Sequence, residues 1–218
     1  MTPRIQLTRS GTIFEGGDQA IAAWRDEYMR GNWVRWSGFI EPKLLAILHT
    51  RIGAASFFDK TNRNIGDESR MRQEPVGAAL EFLTNDTVLF EVVRAITGCD
   101  PVGCFRGRVY RLLPSTGQMT DWHTDLTQGR MATMSINLST EPYAGGILQF
   151  REPGSEKILS QVANTGPGDA VLFRIAKGLE HRVTALRGTV ARTAYAGWFL
   201  REPRFADVLK ERIAGSAS

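Results

Sequence analysis

The sequence predicts a mostly β protein with supporting helices, a jelly roll or barrel wrapped by helices gathered at its N-terminal side. Three observations carry this expectation. Helical periodicity dominates residues 1–103. The period changes near Cys104. From there to Leu200, β-type runs follow one another between Gly, Pro and Ser turns instead of alternating with helices. With 218 residues, 42% of them hydrophobic, and 22 glycines and 9 prolines scattered along it, the chain is expected to form one domain, 1–218. In it, 1–103 is mainly helical support, 104–200 is the core, and 201–218 is a closing helix and tail.

Taken in order, the start "MTPRIQLTRSGTIFEGG" lacks the apolar stretch of a signal peptide. No run approaches the roughly 18 apolar residues of a membrane span, so a cytoplasmic address without a membrane partner is expected. In "DQAIAAWRDEYMRG", Ile21, Trp24 and Tyr28 share one helix face, with Asp18 as N-cap and Gly31 as stop. "NWVRW" reads as a short strand. "EPKLLAILHTRIG" has Pro42 near a first helical position, Leu44, Leu48 and Ile52 at helical spacing, and Gly53 at its end. It carries His49, read as a solvated or core-edge histidine. Residues 56–72, "SFFDKTNRNIGDESRMR", lack periodicity and are rich in charge, which predicts a long loop and a candidate active-site lid. "EPVGAALEFL" and "NDTVLFEVVRAITG" restore helix. Cys99 and Cys104 are too far apart for a Cys-x-x-Cys motif and too few for zinc, so both read as reduced packing residues. The strand runs are then "CFRGRVYRLL", "MATMSINLS", "ILQFRE", "ILSQVA", "DAVLFRI", "EHRVTAL" and "TVARTAYAGWFL". With the run around His123 they make about eight strands. "PRFADVLKERIAG" closes the chain as a helix.

The net charge is +4 and the pI about 9.3, yet the charges are interspersed and no block of five or six basic residues occurs. Arg106, Arg108 and Arg111 read as a solvated strand face, which speaks against a nucleic-acid partner. Chemistry concentrates elsewhere. In "DWHTDL", His123 stands two residues before Asp125, in a chain with three histidines. On a strand, residues i and i+2 share a face, so imidazole and carboxylate aim at one point while Trp122 and Thr124 face away. Two ligands are too few to hold a divalent ion. His181, in "GLEHRV" at the start of another strand run, is the candidate third. Two histidines and a carboxylate on one octahedral face leave three positions open, which suits non-haem Fe(II) working on oxygen. Parity then puts Arg192, Ala194, Ala196 and Trp198 on one strand face. An interior arginine must be paired. Its partner is either a protein carboxylate or a dicarboxylate cosubstrate gripped by the guanidinium fork, with Ala194 and Ala196 leaving it room. Thr133, Ser135 and Asn137 form a polar row, to be satisfied by such a ligand or by cross-strand hydrogen bonds. Asp121 either supports an iron ligand or the substrate, or is a solvated strand end.

Together these residues resemble the Fe(II)- and 2-oxoglutarate-dependent dioxygenase superfamily, whose signature is His-x-Asp, a distal His and then an Arg. The likeness is closest to its prolyl-hydroxylase-like branch, through "GGILQF" from Gly145, "GDAVLFRIAKGLEHRV", and Trp198 six residues after Arg192. It runs from about Tyr110 to Phe199. The resemblance implies a double-stranded β-helix core. It makes His123, Asp125 and His181 the iron ligands and Arg192 the partner of the C5 carboxylate of 2-oxoglutarate, the four forming the catalytic set. It offers Asn137, Tyr110 and Trp198 as further cosubstrate contacts, while Ala194 stands where many relatives carry a serine. The implied activity is hydroxylation of an unactivated C–H bond in a small molecule, amino acid or peptide. Fe(II) is the implied metal, 2-oxoglutarate and O₂ the cosubstrates and ascorbate a supporting reductant, with 2-oxoglutarate going to succinate and CO₂. Two other readings are a cupin-like metal-binding protein without oxygenase activity and a nucleic-acid demethylase of the same superfamily. The demethylase branch carries a second Arg where this chain has Trp198, and retention of Asp125 argues against halogenation.

Overall fold

The computed structural model describes residues 3–62, 66–114, 118–127, 129–164 and 166–215. A hairpin of β1 (Arg4–Thr8) and β2 (Gly11–Glu15) precedes α1 (Gly17–Gly31), β3 (Trp33–Trp36) and α2 (Pro42–Gly53). A second hairpin, β4 (Phe57–Asn62) and β5 (Gly66–Met71), is followed by α3 (Pro75–Thr84) and α4 (Thr87–Thr97). The remainder runs β6 (Cys104–Leu112), β7 (Arg130–Asn137), β8 (Ala144–Gly145), β9 (Leu148–Arg151), β10 (Ile158–Val162) and β11 (Ala170–Arg174). It continues with β12 (Glu180–Val183), β13 (Leu186–Arg187), β14 (Arg192–Leu200) and α5 (Phe205–Gly215).

The large sheet has seven strands in the order β3-β11-β7-β14-β6-β5-β4, and a smaller one has the order β10-β9-β12. The fold is mostly β with a jelly-roll core, as the sequence predicts. Side-chain alternation divides its interior into two layers. On β7, β11 and β14, the residues Met134, Ile136, Leu172, Tyr195 and Phe199 face the helices and join Trp24, Leu48, Leu80 and Val93 in one core. Their alternate neighbours Val171, Phe173 and Ala194 face the smaller sheet and pack with Leu148, Phe150 and Val183. That second layer surrounds the candidate site.

The helices follow their periods. Leu44, Leu48 and Ile52 are the buried stripe of α2, which starts with Pro42 in its first turn. In α4 the Asp86 side chain accepts a 3.1 Å bond from the Leu89 amide, and Gly98 closes the helix in the left-handed region. At α1 the caps differ from expectation: Gly16 precedes the helix without a side-chain cap, and Asn32, in the left-handed region, ends it in place of Gly31. Asn tolerates that conformation through its short polar side chain. Both cysteines are free. Among the described residues no helix is long and apolar enough to cross a membrane.

Three expectations are corrected. Of residues 56–72, read as a loop, Phe57–Asn62 and Gly66–Met71 are paired strands, from Phe57↔Met71 to Asn62↔Gly66. β5 is joined to β6 through Ser69↔Arg111 and Arg70↔Tyr110. Residues 63–65 of the expected lid lie outside the described residues. The run around His123 is irregular, held to β12 through an isolated bridge to His181 and through Thr120, whose N–H donates to Val183 O at 3.0 Å. Finally, Arg106, Arg108 and Arg111 do not form one solvated face. Arg106 is exposed, Arg108 on the same strand face ion-pairs with buried Glu68, and Arg111, on the other face, lies 3.8 Å over the Phe57 ring.

Candidate active site

Backbone geometry sets the site before any side chain does. His123 and His181 exchange a reciprocal pair of main-chain hydrogen bonds, His123 N–H to His181 O at 3.1 Å and His181 N–H to His123 O at 2.9 Å. The pair holds the irregular segment of His123 against β12, whose His181 lies opposite Phe150 of β9. The two rings come to 4.4 Å between centroids. Asp125, two residues on, reaches the same point, with Oδ2 3.5 Å from His181 Nε2 and Oδ1 4.0 Å from His123 Nε2. One ligand atom from each residue lies within 4.8 Å of the others. Trp122 faces away, sandwiched by Arg151 and Arg182 at 4.3 and 4.5 Å.

The protonation of this group suits a cation. His123 Nδ1 is 2.7 Å from the Asp121 carbonyl oxygen, so Nδ1 carries the proton and Nε2 offers its lone pair to the cavity. Asp121 thus acts through its main chain while its carboxylate is exposed. Burial, and then the neighbouring His123, pull His181 down to about 4 against the opposing charge of Asp125. A neutral imidazole is therefore present at neutral pH. Phe173 meets the His181 ring edge-on at 5.0 Å, and Phe150 lies 6.2 Å away. Two neutral imidazoles and one carboxylate, converging and walled by aromatic rings, are a donor set that fits Fe(II).

Arg192 lies deeper in the same cavity. It is 4% exposed and donates from Nη1 to Tyr110 Oη at 2.7 Å, from Nη2 to Ser135 Oγ at 3.1 Å and from Nε to Tyr143 Oη at 3.2 Å. Tyr143 passes its own proton to the Asn164 carbonyl at 2.6 Å. Every partner is neutral, and no ion pair to Arg192 occurs among the described residues, so the protein-carboxylate alternative does not hold. A buried charge without a counter-charge costs several kcal/mol. The cavity therefore favours an anion beside this guanidinium, and a dicarboxylate that also reaches the metal position satisfies both. The tandem glycines of "GGILQF" acquire a physical reason here. Gly146 has φ +60, and a Cβ on it would meet Tyr143 at 2.8 Å and Arg192 Cδ at 3.3 Å.

The remaining candidates separate. Tyr110 is on the Arg192 fork. Trp198 stands toward the other end of the cavity, under the Arg130 guanidinium at 3.6 Å. Thr133 and Ser135 line the cavity, but Asn137 does not: its Nδ2 donates to Gly166 O at 3.0 Å and its Oδ1 accepts from Ser139 N at 2.9 Å. Tyr143, Arg130 and Glu68 were not anticipated from the sequence. Tyr143 sits in a turn with no period to mark it. Arg130 gave one unused signal, lying five residues past Asp125 at the head of a strand. The cavity is about 300 Å³.

The sequence model of the 2OG-Fe(II) oxygenase superfamily matches residues 107–200. No curated protein matches the chain. Solved structures share the fold at low identity. An oxidoreductase of the 2OG-Fe(II) oxygenase family from Burkholderia pseudomallei aligns with TM-score 0.64 and 15% identity over 90% of this chain and 96% of its own. A Pseudomonas putida prolyl-4-hydroxylase aligns with TM-score 0.60 and 18% identity, covering 84% of this chain and 99% of its own. A Trichoplax adhaerens prolyl hydroxylase, solved with a peptide fragment of the hypoxia inducible factor oxygen degradation domain, gives TM-score 0.59 and 14% identity over 83% of this chain and 89% of its own.

Proposed function

We propose that the chain is a member of the 2OG-Fe(II) oxygenase superfamily, whose sequence model matches residues 107–200, and a hydroxylase of a small molecule or amino acid, with His123, Asp125 and His181 holding iron and Arg192 holding 2-oxoglutarate. The observation that carries the reading is the buried, uncompensated Arg192 in the same cavity as the triad. When bound, Fe(II) and 2-oxoglutarate supply the oxidising power for C–H hydroxylation, with O₂ consumed and succinate and CO₂ released. The protein supplies position and exclusion of water.

His123 and His181 present neutral Nε2 lone pairs, and Asp125 contributes the negative charge. The Arg192 fork, preset by Tyr110, Ser135 and Tyr143, accepts the far carboxylate of the cosubstrate and so fixes which end points to the metal. Phe150, Phe173 and Leu148 keep that end of the cavity dry. The volume of about 300 Å³ lies at the lower end of small-molecule sites, about 300–1,000 Å³, and 2-oxoglutarate takes part of it. This favours a compact substrate. A peptide is the second reading, motivated by the peptide-bound Trichoplax neighbour.

Purified protein supplied with Fe(II) and 2-oxoglutarate without O₂ should show the weak visible charge-transfer band of a chelated iron centre. Admission of O₂ should bleach it as succinate forms, even without substrate. Iron binding with neither band nor succinate, in the presence of ascorbate and a broad set of candidate substrates, would return the protein to the metal-binding scaffold reading.

A further inference from the structure

The end of the cavity away from Arg192 carries charge that neither iron nor 2-oxoglutarate uses. Glu68 of β5 is 5% exposed and paired with two arginines. It accepts a two-pronged contact from Arg108 at 2.9 and 3.0 Å and two bonds from Arg70 at 3.1 and 2.8 Å. Two guanidiniums already outnumber its single negative charge, so it does not call for a basic substrate. Arg130, at the head of β7, is different. Its guanidinium carbon lies over the Trp198 ring, 3.6 Å from the centroid, with that of Arg108 5.6 Å from the same ring. Among the described residues the one carboxylate paired with it is Asp125, at 3.5 Å, longer than the about 2.7–2.9 Å of a strong charge-assisted contact. Asp125 gives its charge to the metal in the loaded site. Arg130 is then left with an aromatic platform beneath it and, among the described residues, no counter-charge.

The charge of the whole cavity points the same way. Among the described residues, four arginines (Arg70, Arg108, Arg130, Arg192) face three carboxylates (Asp67, Glu68, Asp125). A divalent ion and dianionic 2-oxoglutarate cancel, so the loaded site keeps one positive charge in excess. We propose, resting on the hydroxylase reading, that Arg130 on its Trp198 platform is the anion subsite for the primary substrate, and that this substrate is a short carboxylic acid. A phosphate monoester would also engage a guanidinium, but its second negative charge exceeds the single charge available. Arg130 and the metal position are separated only by the Asp125 carboxylate. A substrate held there presents to the metal a carbon within a few bonds of its own carboxylate.

The test uses protein loaded with Zn(II), a redox-inert ion of the same charge, and 2-oxoglutarate. Binding is measured by calorimetry for butanoate, hexanoate, phenylacetate and N-acetylated amino acids, each against its primary amide, with phenyl phosphate as the competing anion. At least one acid should bind about tenfold or more tighter than its amide, corresponding to about 1.4 kcal/mol. Arg130→Gln should erase that ratio, and Arg130→Lys should restore part of it. Arg182→Gln, which removes the same charge from the outer face beside Trp122, should leave it intact. Equal binding of acids and amides, a ratio that survives in Arg130→Gln, tighter binding of phenyl phosphate, or no acid bound below millimolar concentrations would each overturn the inference. Metal and cosubstrate titrations of every variant separate the two failures. A protein that takes up neither Zn(II) nor 2-oxoglutarate fails the hydroxylase reading, while one that takes up both without acid preference fails this inference alone.

Discussion

Arg192 sets function against stability in a single side chain. Three neutral hydroxyls satisfy its hydrogen bonds and none satisfies its charge, so the metal-free fold carries a desolvated cation that only a ligand completes. Truncating one partner of a buried charge pair costs about 2–5 kcal/mol of binding. Arg192→Ala should therefore weaken 2-oxoglutarate binding by about thirtyfold or more, and Arg192→Lys by less, because lysine keeps the charge and loses the fork. Calorimetric titration checks both, and an unchanged affinity in Arg192→Ala would remove Arg192 from the cosubstrate site. Arg192→Met should bind cosubstrate no better than Arg192→Ala, yet melt above the parent in the absence of ligands, since an apolar side chain of similar length removes the buried charge. The triad offers no such exchange. His181→Ala leaves two donors where three are needed, so metal uptake should fall to the level of a surface site while the fold persists.

At the scale of elements, how much the sequence disclosed depends on where each element's stabilisation comes from. α2 and α4 were legible because burial of a helical stripe and local caps are written in neighbouring residues. β6, β7, β11 and β14 were legible because alternation separates the helix-facing core from the cavity-facing one. The β4–β5 hairpin was not. Its charged residues read as loop, and its strand character depends on pairing with β6 and on Glu68 meeting Arg108, forty residues away. The triad was legible because His123 and Asp125 stand two residues apart, although a main-chain bridge to His181, not a strand, aligns them. Asn137 misled because its amide is spent on the main chain. Tyr143 escaped because a turn has no period. Two substitutions test this division. Asp86→Ala removes the α4 cap and should cost about 1 kcal/mol in denaturant melts without changing turnover. Gly146→Ala forces a Cβ onto a residue at φ +60 beside Tyr143 and Arg192, so it should weaken cosubstrate binding as well as the fold. A Gly146→Ala protein with parental 2-oxoglutarate affinity would show that the tandem glycines serve only the turn.

For the whole molecule, the two-layer sandwich puts helices against one face of the large sheet and the cavity against the other, so ligand loading and fold stability are linked through the strands that share both layers. In metal-free protein, His181 titrates near 4 when folded, against about 6.5 unfolded, so the unfolded state binds the extra proton between those values. This contribution to stability is full above about pH 6.5 and is lost as pH falls toward 4. His181→Gln should melt with a shallower dependence across that window. Ligands act in the opposite direction, because a molecule that binds only the folded state stabilises it by about 2.7 kcal/mol at a hundred times its dissociation constant. For a chain of this size that is about 5–11 °C in Tm. Mn(II) alone should raise Tm in the parent and in Arg192→Ala, since the triad is intact in both, and should not raise it in His181→Ala. Adding 2-oxoglutarate should give a second increment in the parent only, because the cosubstrate needs the metal at one end and the guanidinium at the other. An equal second increment in His181→Ala would mean that 2-oxoglutarate is held without the metal, and the two ends of the cavity would then have to be treated as separate sites.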